Sequence, residues 1–227
     1  MNMETILKAS GIVKYFMDPE PFRVLNDITF EASKGQFLSI VGKSGCGKST
    51  LLYVLSTMDT DYEGMLEIKG EQLHGWGQNN LARFRNEHLG FVFQFHYLLP
   101  EFTALKNVML PALKLGKYTR DEVASRALEK LRMVGMENYA QKVSARLSGG
   151  QQQRVAIARA LINDPDIIMC DEPTGNLDKA NSQNVFDIFR ELSHQNHQTI
   201  IAVTHDVDFA RGSDYVVEMQ DGQILRA

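Results

Sequence analysis

The sequence predicts an α/β fold: a mostly parallel sheet flanked by helices, with an N-terminal antiparallel β part and a helical subdomain. Two observations lead to this prediction. Four short, almost continuous apolar runs each end at a polar residue, which is typical of strands buried on both faces of a parallel sheet. The first run leads directly into a glycine-rich loop that continues as an apolar helical stretch. The 227 residues are enough for one large domain.

The four apolar runs are the predicted parallel strands. They lie at 37–41, 89–93, 167–170 and 199–204. In parallel sheets, ligands bind beyond the carboxyl ends of the strands. The polar residues that follow the runs should therefore converge on one rim of the sheet. These residues are Lys48, Gln94, Asp171, Glu172 and His205.

Further β structure is expected outside the parallel strands. The segments 5–13, 22–31 and 64–70 have the pattern of antiparallel strands beside the main sheet. Near the end of the chain, 215–219 and 223–226 flank an Asp-Gly pair and predict a closing hairpin.

The helical subdomain is expected at about 95–146, inserted within a single domain that spans 1–227. Thr119 and Glu122 have the spacing of a capping box. The apolar stripe behind this cap consists of Val123, Ala127, Leu128 and Leu131. A second amphipathic helix is expected at 181–195.

The glycine-rich loop matches the pattern G-x-x-x-x-G-K-[ST] of a P-loop, which makes the predicted sheet a P-loop NTPase core. The loop consists of Gly42, Lys43, Ser44, Gly45, Cys46, Gly47, Lys48 and Ser49, and Thr50 follows it. Glycines let backbone N–H groups wrap around phosphate oxygens, and the helix dipole adds to this attraction. We expect the loop to bind ATP, with Lys48 at the β- and γ-phosphates, Ser49 on Mg²⁺ and Thr50 at a phosphate. A glycine-rich turn that fits by chance is the alternative, which the strand before it and the helix after it disfavour.

Two adjacent acids, Asp171 and Glu172, close the third apolar run. Asp171 is a hard oxygen ligand suited to Mg²⁺, held directly or through the water shell of the metal. Glu172 lies one residue further and is expected to polarise the water that attacks the γ-phosphate. Two solvated carboxylates at a strand end are the alternative. His205 and Gln94 carry little weight singly, and only their place on the expected rim makes them candidates.

Composition and charge disfavour a secreted protein and a general nucleic-acid binder. The formal net charge is −4, whereas nucleic-acid binders usually carry a basic excess. Two cysteines form no disulfide framework and indicate a reducing compartment. The first residues lack an export signal, and no run approaches the ~18 apolar residues of a membrane span. Any activity at a membrane is therefore expected to go through another polypeptide.

A second glycine motif, Leu147-Ser148-Gly149-Gly150-Gln151, lies about a hundred residues after the P-loop. With the P-loop, Gln94, the acidic pair, Asp178 and His205 in this order, the chain resembles the ATPase subunits of the ABC (ATP-binding cassette) family. The resemblance covers essentially the whole chain.

The resemblance implies a second copy of the chain, packed head to tail with two ATP molecules sandwiched between the copies. Each ATP then meets the P-loop of one copy and the signature segment of the other. The signature segment consists of Ser148, Gly149, Gly150 and Gln151; on its own, it would also fit a simple helix cap. By the same resemblance Gln94 senses Mg²⁺ and the γ-phosphate, Asp178 couples the two sites, and His205 assists hydrolysis.

An aromatic residue of the N-terminal β part is expected to stack on adenine. Tyr15 matches the family's aromatic at this place, and Phe16 is adjacent to it. The alternative is a buried edge-strand tyrosine with no contact to nucleotide.

The segment that follows Gln94 indicates the subgroup. Residues 93–105 read FQFHYLLPEFTAL and resemble the lipoprotein-releasing ATPases of the LolD type. Residues 173–178 resemble a broader group that includes MacB-type exporters and FtsE-type cell-division ATPases, and these remain alternatives. Lys43 and Gln151 depart from what many members have, proline and glutamate respectively.

This resemblance implies a transmembrane permease partner and a peripheral location on the cytoplasmic side of the inner membrane. Segment 95–105 is then expected to form the groove that receives a coupling helix of the permease, although its apolar residues would equally fill the core of the subdomain. A soluble ABC ATPase acting on DNA or ribosomes is an alternative of another class, but such chains usually carry two cassettes or a long coiled coil. A nucleotide-binding protein without turnover would lack the acid at Glu172. No nucleic-acid partner is expected.

Overall fold

The structure is a computed structural model that describes residues 4–17 and 19–226. The chain divides into two compact units. Unit 1 comprises Met1–Leu81 and Arg190–Ala227, and unit 2 comprises Ala82–Phe189. The subdomain expected at about 95–146 lies within unit 2, and its bounds stay a prediction.

The strands of the described residues follow in chain order. They are β1 (Thr5–Met17), β2 (Pro21–Ser33), β3 (Phe37–Val41), β4 (Glu63–Ile68), β5 (Glu71–Gln72), β6 (Leu89–Phe93), β7 (Ile167–Asp171), β8 (Thr199–Thr204), β9 (Tyr215–Gln220) and β10 (Gln223–Arg226). The α-helices are α1 (Lys48–Leu55), α2 (Gln78–His88), α3 (Ala104–Leu115), α4 (Arg120–Met133), α5 (Gly149–Leu161), α6 (Lys179–Asn196) and α7 (Val207–Arg211). Short 3₁₀ turns lie at Glu137–Tyr139 and Ser144–Arg146.

Unit 1 contains an antiparallel sheet and a group of parallel strands. The antiparallel sheet has the order β2-β1-β4-β5, which confirms the three predicted N-terminal strands. In the parallel group, β3 pairs with both β8 and β9, and β10 returns antiparallel to β9 as the predicted hairpin. All of β8 is buried, as its continuous apolar run predicts.

Unit 2 contains the parallel pair β6 and β7 and helices α3, α4 and α5, which pack against one another. The capping box at the start of α4 is confirmed, with the Thr119 and Glu122 side chains each bonded to the other residue's backbone N–H. Three residues of its predicted stripe are buried, but Leu128 is exposed. The stripe is therefore narrower than predicted, because Leu128 lies one position past the face centred on Ala127.

Candidate functional site

The P-loop follows β3 and continues into the first residues of α1. A Cβ atom at Gly42 would lie 2.2 Å from the carbonyl oxygen of Met219, so only glycine fits there. At Gly47 the backbone has φ 101°, in the region that favours glycine, and no side chain caps the start of α1. A helix start without a side-chain cap suits an anionic ligand.

Lys48 folds back over the loop. Its ammonium donates to the carbonyl oxygens of Gly42 at 2.8 Å and Lys43 at 3.1 Å. The side chain is buried, so these two bonds hold the charge within the curve of the loop. A positive charge and backbone N–H groups on one concave surface suit the phosphates of a nucleotide.

Cys46 and the two hydroxyl residues of the loop differ in exposure. Cys46 is buried, and its carbonyl accepts a bond from the Gly222 N–H at 3.1 Å. The backbone of Cys46 is therefore bonded to the turn between β9 and β10. Ser49 is exposed and Thr50 half-buried, as residues that meet a bound metal or phosphate require.

His205 leaves the sheet of unit 1 beside the P-loop. Val41, the last residue of β3, pairs with Thr204, the last residue of β8. Gly42 and His205 thus follow neighbouring strand ends that point the same way. In unit 1, His205 and the loop that carries Lys48 therefore follow neighbouring strand ends, as the predicted rim requires.

Tyr15 lies on β1 and is exposed, so the alternative of a buried edge-strand tyrosine is wrong. Arg23 stands over its ring at 5.9 Å, whereas the ammonium of Lys14 stands over Phe16 at 5.4 Å. The two aromatics therefore face opposite sides of β1, and both are open to a planar ligand.

Lys14 anchors this part of β1. Its buried ammonium bonds Asp59 at 2.9 Å and Asp61 at 3.1 Å, and it also donates to the Asp61 carbonyl at 2.6 Å. A buried lysine needs such partners to remain charged. Tyr15 and Phe16, the exposed aromatics that follow Lys14, accordingly project from a fixed strand.

In unit 2 the acidic pair and Gln94 also leave neighbouring strand ends. Phe93 of β6 pairs with Asp171 of β7, so Gln94 and Glu172 are the next residues on adjacent strands. Glu172 has φ 46°, which is uncommon for a residue with a side chain and occurs often at functional sites. Both acids are half-buried.

Gln94 is held by a residue that the sequence analysis did not single out. The Asn176 side chain donates to the Gln94 carbonyl at 3.2 Å, and its oxygen accepts from the Gln94 amide at 3.4 Å. A Cβ at Gly175 would lie 2.9 Å from the same amide nitrogen. The turn after Glu172 therefore positions Gln94.

The signature segment forms the first turn of α5. Ser148 accepts from the Gln151 N–H at 3.4 Å, and the Gln151 side chain accepts from the Ser148 N–H at 3.1 Å. This capping box bears out the helix-cap role for Ser148 and Gln151 and explains how glutamine serves in place of glutamate. A role for the segment toward a second copy stays a prediction.

Gly150 faces Asn181, which Asp178 holds. A Cβ at Gly150 would lie 2.2 Å from the Asn181 side-chain oxygen. Asp178 accepts from the Asn181 N–H at 2.9 Å and from its side-chain amide at 2.8 Å. Both bonds lower the pKa of Asp178, and the bond from the Asn181 backbone N–H has the larger effect. Within unit 2, the signature segment and Asp178 are thus joined through one side chain.

Two further residues of α5 contact the loops that carry candidate residues. Gln153 is buried and donates to the Pro173 carbonyl at 2.7 Å, directly after Glu172. Arg159 donates to the carbonyls of His96 and Tyr97. Neither residue could be predicted from the sequence, since a glutamine or arginine within a helix carries no distinctive signal.

The structure thus brings the predicted residues together within each unit. Unit 1 carries the P-loop, Tyr15 and His205, and unit 2 carries Gln94, the acidic pair, the signature segment and Asp178. That the rim residues of both units act at one site stays a prediction.

The residues fit ATP and Mg²⁺. The P-loop, where only glycine fits at position 42, suits phosphate groups. So does the start of α1, which no side chain caps. Ser49 and Asp171 offer the hard oxygen atoms that Mg²⁺ prefers. Among the described residues, no group of three or more His, Cys, Asp or Glu side chains could hold a metal.

Comparison with known proteins supplies the family context. A family model described as ABC transporter matches residues 25–175. The chain is 46% identical, over 98% of its length and 100% of the other's, to the lipoprotein-releasing system ATP-binding protein LolD of Cytophaga hutchinsonii. The proteins of the same name from Bacteroides fragilis and Aquifex aeolicus are 44% and 43% identical, over 97% and 98% of this chain and 100% and 97% of theirs.

Solved structures agree with these relatives. A dimeric ATP-binding cassette in a post-hydrolysis state, bound to ADP and Pi, superposes with a TM-score of 0.89 at 36% identity. A dimeric bacterial ABC transporter cassette gives a TM-score of 0.89 at 37% identity. Each match covers 97% of both chains.

Proposed function

Because the chain belongs to the ABC transporter family, whose cassettes hydrolyse ATP, we propose that it powers a membrane permease that releases lipoproteins from the inner membrane. The observation that carries the proposal is the similarity of this chain, over almost its whole length, to proteins named for lipoprotein release. The FQFHYLLPEFTAL segment, which includes exposed aromatics, supports it further.

In the proposed reaction, the P-loop binds the phosphates of ATP and Lys48 neutralises charge on the β- and γ-phosphates. Bound Mg²⁺, held by Ser49, Gln94 and Asp171, would supply further charge neutralisation. Glu172 orients and polarises a water for in-line attack on the γ-phosphate, and His205 holds this geometry. Tyr15 stacks on adenine.

Two copies of the chain are proposed to sandwich two ATP molecules. The start of α5 offers backbone N–H groups and the positive end of a helix dipole, which suit the γ-phosphate bound by the other copy. The dimeric state of both related cassettes supports this arrangement. Asp178 then couples the two sites through its hold on Asn181.

The permease is proposed to dock on the segment 95–105 that follows Gln94. The part of it that precedes α3, residues 95–103, is called the docking segment below. The side chains of Phe95 and Tyr97 are 64% and 65% exposed, although large aromatic side chains are usually mostly buried. Beside them lies a cavity of about 300 Å³ that Phe91, Phe93 and Pro111 line with apolar surface. An amphipathic cytoplasmic helix of the permease would fill such a groove.

The location follows from this partner. Within the ranges 4–17 and 19–226, no helix has both the length and the apolar character to cross a membrane. We propose that the chain binds peripherally to the cytoplasmic side of the inner membrane, through the permease.

The test is a pull-down from detergent-solubilised native membranes, with partners identified by mass spectrometry. The bait is tagged Glu172→Gln chain with ATP, because slowed hydrolysis should preserve the complex. A permease with few spans and a large extracytoplasmic domain, together with lipoproteins, is the expected result. Recovery of such a permease without lipoproteins would favour the function of a MacB-type exporter or an FtsE-type cell-division ATPase. Recovery of no membrane protein would refute the proposal.

A matched variant tests the docking segment. Replacing Phe95 and Tyr97 by serine removes exposed apolar surface and touches none of the nucleotide candidates. We expect this double variant to recover no permease in the pull-down, while its ATP-dependent dimerisation in size-exclusion chromatography is retained. Undiminished permease recovery would show that the partner docks elsewhere.

A further inference from the structure

The docking segment is tied to the C-terminal end of the signature helix α5 by an arginine fork. Arg159 donates to the carbonyl oxygen of His96 at 2.7 Å and to that of Tyr97 at 2.6 Å. Hydrogen bonds from a guanidinium are stronger than neutral ones, and two of them fix orientation as well as distance. The fork therefore holds two consecutive residues of the docking segment.

The backbone at this point has a conformation that needs support. His96 and Tyr97 have φ values of 22° and 47°, which side-chain-bearing residues seldom adopt. Such conformations persist where surrounding contacts determine them. Arg159 supplies those contacts, and burial, followed by the charge of Arg159, lowers the pKa of His96.

A second tie connects the middle of the docking segment, at Leu99, to the start of α5. The buried Asn107 accepts from the Leu99 N–H at 2.8 Å and donates to the Ser144 hydroxyl at 2.8 Å. The Gln152 side chain in turn donates to the carbonyls of Ser144 at 3.0 Å and Leu147 at 3.3 Å. The docking segment is thus linked to α5 at both ends of that helix.

We infer that Arg159 is a positioning residue that makes the docking segment and the signature helix move together. The inference rests on the proposed roles of these two segments. A helix is stiff along its axis, so a displacement that the partner imposes at Tyr97 reaches Gly150 through α5. In the reverse direction, ATP bound at the signature segment restrains the docking segment, since coupling between two sites is reciprocal.

The reverse direction can be tested with the whole chain and without the permease. The parent is Glu172→Gln, and amide hydrogen exchange is followed by mass spectrometry with and without ATP. Arg159→Met removes the fork, and Arg159→Lys retains charge with a single attachment point. The matched control is Arg154→Met, because Arg154 lies on the same helix and its hydrogen bond within the part of the chain that the structure describes is to the Val134 carbonyl, at 3.4 Å.

In the parent and in Arg154→Met, ATP is expected to slow exchange at both 95–103 and 147–152. In Arg159→Met, exchange at 95–103 without ATP should rise about tenfold, as expected when local bonds are lost. Its ATP-dependent slowing should be lost there and retained at 147–152, and Arg159→Lys should lie between. A merely structural role would change the first quantity and leave the ATP response of the docking segment intact.

Three outcomes decide the matter. Equal ATP responses at 95–103 in Arg159→Met and in the parent would overturn the inference and leave the proposed function standing. Loss of the response in Arg154→Met as well would also overturn it, because the effect would not be specific to the fork. Absence of any ATP response at 147–152 in the parent would overturn the proposed dimer, and the inference with it.

Discussion

Replacing Gly150 by alanine separates the two roles that a glycine in the signature segment can have, packing and phosphate binding. The added Cβ would lie 2.2 Å from the Asn181 side-chain oxygen and 2.5 Å from Asn181 Cγ. Asn181 cannot simply turn aside, since its amide is bonded to Asp178 at 2.8 Å. Alanine at this position therefore forces Asn181 away from Asp178.

The expected change in stability follows from two opposing effects. Overpacking by one methyl group costs about 1–3 kcal/mol. Alanine regains about 0.5–1 kcal/mol through its better helix propensity, and less in the first turn. We expect Gly150→Ala to lower the free energy of unfolding by about 1–2 kcal/mol, measured by urea denaturation.

A second substitution distinguishes the roles. Asn181→Ala removes the two closest atoms and leaves only Asn181 Cβ, at 3.0 Å, a contact that a small shift relieves. In the double variant we expect stability to return to within about 0.5 kcal/mol of Asn181→Ala alone. ATPase activity should stay reduced by at least about tenfold, because the methyl group still crowds the N–H groups that meet the γ-phosphate. If activity returns together with stability, Gly150 serves packing only and the phosphate role of the signature segment is refuted.

Three other substitutions test single parts of the proposed site. Lys48→Ala should abolish ATP binding or turnover, because the loop loses the buried ammonium that is proposed to neutralise the phosphates; wild-type ATPase activity would exclude the P-loop assignment. Asn107→Leu should lower the free energy of unfolding in urea by about 2–4 kcal/mol, because the Leu99 N–H and the Ser144 hydroxyl lose their bonds to the buried Asn107 side chain; a loss below about 1 kcal/mol would contradict this. Asn176→Ala should lower kcat for ATP about tenfold with KM unchanged, because Gln94 loses its support; a change in KM alone would indicate a binding role.

The strands and the candidates at their ends could be predicted because local patterns determine them. A short apolar run that is buried on both faces is compatible with few structures other than a central strand. Once the strand is predicted, the residue that follows it must lie at the edge of the sheet. The register of Phe93 with Asp171 then brings Gln94 and Glu172 side by side. The capping box at Thr119 is equally local, since its two partners lie three residues apart.

The supports of these candidates could not be predicted in the same way. Asn176 reaches Gln94 across 82 positions of the chain, and Gln153 reaches Pro173 across 20. In both pairs a side-chain amide donates to a backbone carbonyl, and every residue has such a carbonyl. No complementary residue type marks the partner, so neither spacing nor composition reveals the bond. Leu128 illustrates a smaller error of the same kind, because the width of a buried stripe depends on the neighbouring helix.

The same chemistry explains why α5 organises unit 2. Loops at the ends of parallel strands are irregular, and their buried carbonyls need donors from elsewhere. Three residues of α5 provide them: Gln152 to Ser144 and Leu147, Gln153 to Pro173, and Arg159 to His96 and Tyr97. The loops after β6 and β7 and the turn before the signature are thus bonded to one rigid element. A helix that begins with the proposed γ-phosphate contact is therefore also the part of unit 2 best placed to register a partner at the docking segment.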